Sequence, residues 1–294
     1  MKRIKADRAV SCLSQTGTIR AAAIINTNTA RTAQEKHNLL PLPAYLLARQ
    51  LASASMLAIF LKGEERIVLE AEGDGIIKKV YSEAIQVGEV RGYVLHDDDL
   101  ELGKLSDLSE ALGNGLYKVK RMLYDKPEPI VGVVELFKGN IAEDLAYYFT
   151  QSEQVPTAVI LDTGLDAEEK IAYSAGLIIQ AMPGATQKEL ENIEDYLSKL
   201  DFREIAAQAE NAEDLLKNCL PFEFSILKND RIDFFCRCSK EKFMDKLITL
   251  KLSEVQEMKA ANENELICHY CNSHYYLEEK DFDSMIARMT AKMN

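Results

Sequence analysis

No uninterrupted apolar run in this sequence reaches the roughly eighteen residues that a membrane-spanning helix needs. A secretory leader is not indicated either. The N-terminus reads MKRIKADRAVSCLSQTGTIRAAAII, basic at first but interrupted by polar residues where a signal peptide would be continuously apolar. Positive charge is in short supply. Lys and Arg number 35 against 47 Asp and Glu, a net charge of -12. That argues against general nucleic-acid binding, which needs basic surface to displace counterions, and against docking on anionic membranes. Internal repeats and low-complexity tracts are absent, as is tryptophan. No Ser/His/Asp set, acidic pair or nucleotide-binding loop stands out, so nothing marks the chain as an enzyme. The expectation is a cytoplasmic protein.

What is present is six cysteines. In the cytosol such residues serve metal or redox chemistry more readily than structural disulfides. Four of them cluster as Cys236-Arg-Cys238 and, beyond residues 239–267, Cys268-His-Tyr-Cys271. Two close-spaced pairs on separate loops are what tetrahedral zinc requires, and a closed four-sulfur shell leaves no position for substrate. The expected cofactor is therefore one structural Zn2+ per chain. The Cys-x-Cys half adds a redox hint. A bridge across one residue is strained, and strained bridges are readily reduced and tend to be regulatory. Oxidation would remove the ligand charges. A small module that folds through its metal would then lose about 10–16 kcal/mol of binding free energy and unfold.

Other residues are weighed against this cluster. Arg237, Lys240, Lys242 and His269 either offset thiolate charge or form a solvated basic face. His269 and His274 are minor candidates to replace a sulfur ligand. Cys12 reads as a small core residue, while Cys219 has the place of an exposed thiol with no mark of reactivity. His96-Asp97-Asp98-Asp99 resembles a hard-metal cluster but reads more simply as a polar loop, and Gly73-Asp74-Gly75 as a turn. Met285, Met289 and Met293 recur every four residues on a terminal helix, as packing onto the module or as an adaptable surface.

Three segments follow from composition and periodicity. Residues 1–182 read as an α+β core domain with a mixed or antiparallel sheet. Within it, 18–27 reads as a strand, 43–61 as a buried helix, and 141–149 and 167–182 as helices, with hairpin-like stretches between. Residues 183–231 read as an acidic amphipathic helical linker. Pro183 and Gly184 break the chain, Thr186 with Glu189 makes a capping box, and Leu190, Ile193, Leu197 and Leu200 form one apolar stripe. Over 187–217 nine acidic and four basic residues leave a net of -5. Such a helix folds only by laying its stripe on another surface. Residues 232–294 read as a zinc-binding module too small to be stable without a staple.

The motifs as a set resemble the 33 kDa heat-shock chaperonin family, the redox-regulated holdases. The resemblance rests on FFCRCS at 234–239 with CHYC at 268–271, followed by Tyr276. It extends through LKGEERIVLEAEGDG (61–75), VRGYV (90–94), GVVELFKGNIAEDLAYYFTQSEQVPTA (132–158) and AGLIIQAMPGA (175–185). GDGIIKK at 73–79 and GNGLYKVKR at 113–121 depart from the family's pattern.

The resemblance implies an inactive, reduced, zinc-bound monomer. It implies that oxidants join Cys236 with Cys238 and Cys268 with Cys271, that the C-terminal module and linker then unfold, and that a homodimer holds unfolding client proteins without ATP. Two other classes are kept in view. One is a zinc-ribbon nucleic-acid module, which the acidic charge disfavours. The other is a thiol-disulfide oxidoreductase using Cys268 and Cys271, which usually needs a βαβ setting.

Overall fold

The computed structural model describes residues 6–97 and 108–293. It forms two compact units, Met1–Phe235 and Cys236–Asn294. The acidic pair Asp98 and Asp99 lies outside the described residues.

The larger unit is built around one helix. After β1 (Arg8–Ser14), β2 (Ile19–Ile25) and α1 (Thr27–His37), the chain enters α2 (Pro41–Ala58). Pro41 occupies the first turn, where its missing N–H is no loss. Nearly every residue of α2 from Leu42 to Ala58 is buried, because a sheet packs on each side of it. Some of its polar groups find partners on neighbouring elements. Gln50 accepts from the Tyr117 hydroxyl at 3.3 Å, and Ala48 O accepts from Asn26 Nδ2 at 3.0 Å.

One sheet holds β3 (Arg66–Gly73), β4 (Ile77–Ile85), β5 (Glu89–His96), β6 (Gly115–Met122), β7 (Ile130–Glu135) and the short β11 (Asp233–Phe234). Their order is β11-β5-β4-β3-β6-β7. Its pairings are antiparallel except β11 with β5. Alternation divides its faces. Leu69, Val80 and Val119 are buried, while Glu70, Lys79, Lys118 and Lys120 form ion pairs on the other side. The turn Gly73-Asp74-Gly75 closes against residues 111–114. Asp74 Oδ1 accepts from Asn114 N at 2.8 Å, and a Cβ on Gly73 would lie 1.8 Å from Leu112 O. The two segments that depart from the family pattern are thus packed on each other.

The other sheet has the order β10-β1-β2-β9-β8, all antiparallel, with β8 (Thr157–Leu165), β9 (Ile171–Ala181) and β10 (Phe224–Arg231). The helix expected over 167–182 is in fact strand β9. β9 has α2 against one face and the helices after residue 186 against the other, so its buried run Ser174–Gln180 lacks the alternation that marks a half-exposed strand. The helix expected at 141–149 is present as α3 (Ile141–Tyr148), and the strand at 18–27 as β2.

Segment 183–231 contains α4 (Gln187–Ser198), α5 (Phe202–Gln208), α6 (Ala212–Cys219) and strand β10. Thr186 and Glu189 form the capping box, with Thr186 N donating to Glu189 Oε2 at 2.8 Å. The apolar stripe finds its surface. Ile193, Phe202, Ala206, Leu215, Leu216 and Cys219 are buried against Val10, Cys12, Ala21, Ala23, Leu177 and Ile179 of the sheet, with Leu190, Leu197 and Leu200 at the rim. Cys12 is a core residue as expected. Cys219 is not exposed: it has 0% accessible surface, because it closes the buried stripe of α6.

Candidate metal centre

The chain is pinned to the larger unit just before the first cysteine. Ile232 N donates to Asp7 O at 2.9 Å, Asp233 N to Gly88 O at 3.0 Å and Phe235 N to Val90 O at 2.9 Å. Gly88, at φ +90, allows this approach, since a Cβ there would lie 1.9 Å from Arg231 O.

The smaller unit begins at Cys236. Cys236 and Cys238 lie on the loop before α7 (Lys240–Leu247), whose N-cap Ser239 accepts from Lys242 N at 3.3 Å. The second pair sits in the turn between β12 (Glu265–Ile267) and β13 (His274–Tyr276). That turn is held by Cys268 N donating to Ser273 O at 2.9 Å and Asn272 N to Cys268 O at 2.7 Å. Asn272 adopts φ +52, a left-handed conformation that asparagine tolerates.

The two loops bring four sulfurs together. All four Sγ atoms lie within 4.8 Å of one another. Cys236 Sγ is 3.8 Å from Cys268 Sγ, and Cys238 Sγ is 3.4 Å from Cys271 Sγ. None is in a disulfide. Cys268 and Cys271 are buried and the other two partly so. Among the described residues, this is the group of His, Cys, Asp and Glu side chains placed to hold a metal ion.

The thiols are not equivalent. Burial raises the pKa of Cys268 and of Cys238. Burial opposes ionisation at Cys271 too, but hydrogen bonds from Ser273, Cys238 and Cys268 outweigh it and bring that thiol down to about 7. Four sulfurs this close cannot all ionise without a cation between them. Neighbouring hydroxyls orient two of them. Tyr275 Oη lies 3.1 Å from Cys238 Sγ and donates to Cys238 O at 3.1 Å, and Ser273 Oγ lies 3.2 Å from Cys271 Sγ. Neither was singled out from the sequence: Tyr275 meets Cys238 from a distant part of the chain, which leaves no spacing signal, whereas Ser273 lies two residues beyond Cys271 and could have been found as a local hydroxyl.

Two of the basic residues near the sulfurs in sequence have partners other than sulfur. Lys240 pairs with Asp281, and Lys242 Nζ donates to Arg237 O at 2.6 Å. His274 Nδ1 lies 2.7 Å from Glu265 Oε1, and neither His269 nor His274 joins the sulfur group.

The rest of the unit is small. α8 (Leu252–Ala260) and α9 (Glu279–Met293) enclose Val255, Leu277, Phe282, Met285 and Met289. Met285 and Met289 are therefore packed inside this core; nothing is described for the Met293 side chain.

A body of two sheets around a buried helix, together with a small unit of four clustered thiols, defines a mixed α/β protein with a candidate metal-binding module. A family model described as Hsp33 protein matches residues 7–278, and the chain belongs to that family. It is 31% identical over 287 residues to a 33 kDa chaperonin of Streptococcus suis, covering 95% of this chain and 99% of the relative. It is 33% identical over 296 residues to a 33 kDa chaperonin of Desulforamulus reducens, covering 97% of this chain and 99% of the relative. The crystal structure of a 33 kDa chaperonin from Thermotoga maritima matches with a TM-score of 0.86 at 27% identity, covering 98% of this chain and all of that one. No helix among the described residues is long and apolar enough to cross a membrane.

Proposed function

We propose that this protein is an ATP-independent holdase, switched on by oxidation and acting in the cytoplasm. It is not an enzyme. Cys236, Cys238, Cys268 and Cys271 are its zinc ligands and its redox sensor. The observation that carries this reading is the four-sulfur cluster. In a tetrahedron with metal–sulfur arms of about 2.3 Å, sulfurs lie about 3.8 Å apart. The distances of 3.8 and 3.4 Å between sulfurs of different loops suit that geometry.

Zinc, when bound, supplies a cross-link between the two loops and holds the sulfurs as thiolates. The chain's own contribution to the unit's stability is limited, since five buried apolar residues make up its core cluster. Oxidation joins Cys236 with Cys238 and Cys268 with Cys271. For each pair, two thiols give up two protons and two electrons to one peroxide, yielding one disulfide and two waters. A disulfided unit has no ligand charge left for a cation, so it loses its staple and unfolds.

The division of labour follows the three segments: a core over 1–182, a linker over 183–231 and a sensing module over 232–294. Release of α4, α5 and α6 bares the apolar face of the sheet, including Val10, Ala21, Leu177 and Ile179. Two such chains form a homodimer that holds unfolding client proteins. The net charge of -12 supports solubility in that sticky state. No nucleic acid or membrane is part of this reading.

The test is to treat zinc-loaded protein with peroxide at heat-shock temperature, following zinc release and the aggregation of an unfolding client. Zinc release with suppression confined to the oxidised form is expected. Equal suppression by reduced and oxidised protein sinks the switch.

A further inference from the structure

Two cysteines lie outside the four-sulfur cluster. Cys12 is on β1 and Cys219 closes α6, and both have 0% accessible surface. They sit on opposite walls of one apolar seam. Cys12 belongs to the sheet wall with Val10, Ala21 and Leu177. Cys219 belongs to the helix wall with Leu215 and Leu216. The seam is a layer boundary, so each thiol is covered by the opposite wall, Cys12 by the helices and Cys219 by the sheet, and the two are uncovered together.

Shut, the seam protects them. Burial pushes the Cys12 thiol up to about 12 and the Cys219 thiol up to about 11, and the thiolate is the form that attacks. Open, each becomes an ordinary solvent-exposed thiol. The segment 187–217 of the helix wall carries a net of -5, and those charges are hydrated whether the seam is shut or open, so it is the apolar stripe that opposes release.

We propose that Cys12 and Cys219 form a concealed modification site, exposed when α4, α5 and α6 lift from the sheet and taken by low-molecular-weight disulfides. This rests on the release of those helices put forward above and adds a second redox event that the metal cluster does not perform. The reaction is thiol–disulfide exchange. The protein thiolate attacks one sulfur of the small disulfide, a protein–small-molecule S–S bond forms and the original S–S bond breaks. The departing thiolate takes up the proton that the protein thiol released, and no further oxidant is needed.

The consequence is a lock on closure. A glutathionyl group is larger than the thiol hydrogen it replaces and carries charge. The seam has no room for it, since Leu215, Leu216, Ala21 and Ala23 around it are all at 0% exposure, and burying unpaired charge there is strongly unfavourable. A chain modified at either cysteine stays open after the four-sulfur unit has been reduced and reloaded with zinc, until the adduct is removed.

The test uses the full chain and glutathione disulfide, with adducts at Cys12 and Cys219 mapped by peptide mass spectrometry. In the zinc-loaded protein both positions stay unmodified. After peroxide at heat-shock temperature, modification at both rises by at least on the order of a hundredfold. Adducts forming equally fast in the closed protein overturn the concealment. Zinc release and client suppression with no adducts at either cysteine overturn this proposal while leaving the holdase reading intact.

A Leu215→Asp variant opens the seam without oxidation, and Ile193→Asp does so at its rim should the first fail to fold. Protected amide exchange in α2 verifies that the body remains folded. Adducts are expected in this variant even if peroxide fails to open the parent chain, and their absence overturns the proposal. For the lock, the Cys12→Ala/Cys219→Ala double variant is expected to close again on reduction and zinc addition, read by loss of apolar-dye fluorescence, while glutathionylated parent protein stays bright. Equal closure of the two sinks the lock.

Discussion

The hydroxyl of Tyr275 lies 3.1 Å from Cys238 Sγ and 3.1 Å from the same residue's carbonyl oxygen, so one side chain from β13 fixes a cysteine on the opposite loop. Tyr275→Phe removes the hydroxyl and keeps the ring that packs near Phe243, whose centroid is 5.6 Å away. The hydroxyl's one proton goes to the Cys238 carbonyl, and a lost neutral hydrogen bond is worth about 0.5–1.5 kcal/mol. Zinc affinity should therefore fall by roughly twofold to tenfold. Competition with a chromogenic chelator measures it, and unchanged affinity would show that the hydroxyl does not bear on the metal.

Removing one of the four clustered sulfurs should be far more severe. Cys271→Ser is expected to abolish stoichiometric zinc binding and to leave residues from Cys236 onward without protection from amide exchange. Protection in α2 and β9 should persist, because the larger unit has its own core. Chelation of zinc from the parent chain should reproduce the same pattern. Retained protection in α8 and α9 of the variant would show that the small core of Val255, Phe282 and Met285 folds unaided.

The seam under the acidic helices offers a stability test. Leu215 is at 0% exposure, and Leu→Ala at such a site costs about 2–5 kcal/mol. Leu215→Ala should lower the temperature at which α4, α5 and α6 detach and raise apolar-dye binding below the main unfolding transition. Dye binding identical to the parent at every temperature would argue that the helices do not separate from the sheet ahead of global unfolding.

Gly88 controls the approach to the metal centre. Gly88→Ala places a Cβ where Arg231 O stands, at a φ of +90 that alanine rarely adopts. Strain of this kind costs on the order of 1–3 kcal/mol. Faster amide exchange at Asp233 and Phe235 is expected, since their N–H groups donate to Gly88 O and Val90 O. Exchange rates equal to the parent's would mean that β11 is held by other contacts.

Asp144 sets a pH dependence. Its side chain is at 0% exposure, Oδ1 accepts from Phe137 N at 2.8 Å and Lys138 N at 2.9 Å, and Oδ2 has no protein partner. Burial raises its pKa above the ordinary 3.8 despite those hydrogen bonds. A raised carboxyl contributes stability that is present at acid pH and lost as pH climbs through the folded-state pKa. Asp144→Asn keeps the accepting oxygen and removes the charge. Its Tm should exceed the parent's near pH 8, with the gap closing as pH falls toward 4. A gap that widens on acidification contradicts the sign.

The gathering of the four sulfurs was legible in the sequence alone, since Cys-x-Cys and Cys-x-x-Cys spacing announces paired thiols and local spacing is a property of the chain. The capping box at Thr186 and Glu189 was legible for the same reason, as were the buried helix α2 and the apolar stripe of α4. Three features were decided only by the tertiary structure. Strand β9 looked helical because an interior strand covered on both faces carries no alternation. Cys219 looked exposable because its burial comes from a sheet whose strands, β1 with Cys12 among them, are drawn from distant parts of the chain. Tyr275 had no signal at all, because its bearing on Cys238 exists only once a hairpin and a loop meet. Short-range chemistry can be read from order along the chain; which surfaces come to cover each other is settled by packing between distant segments.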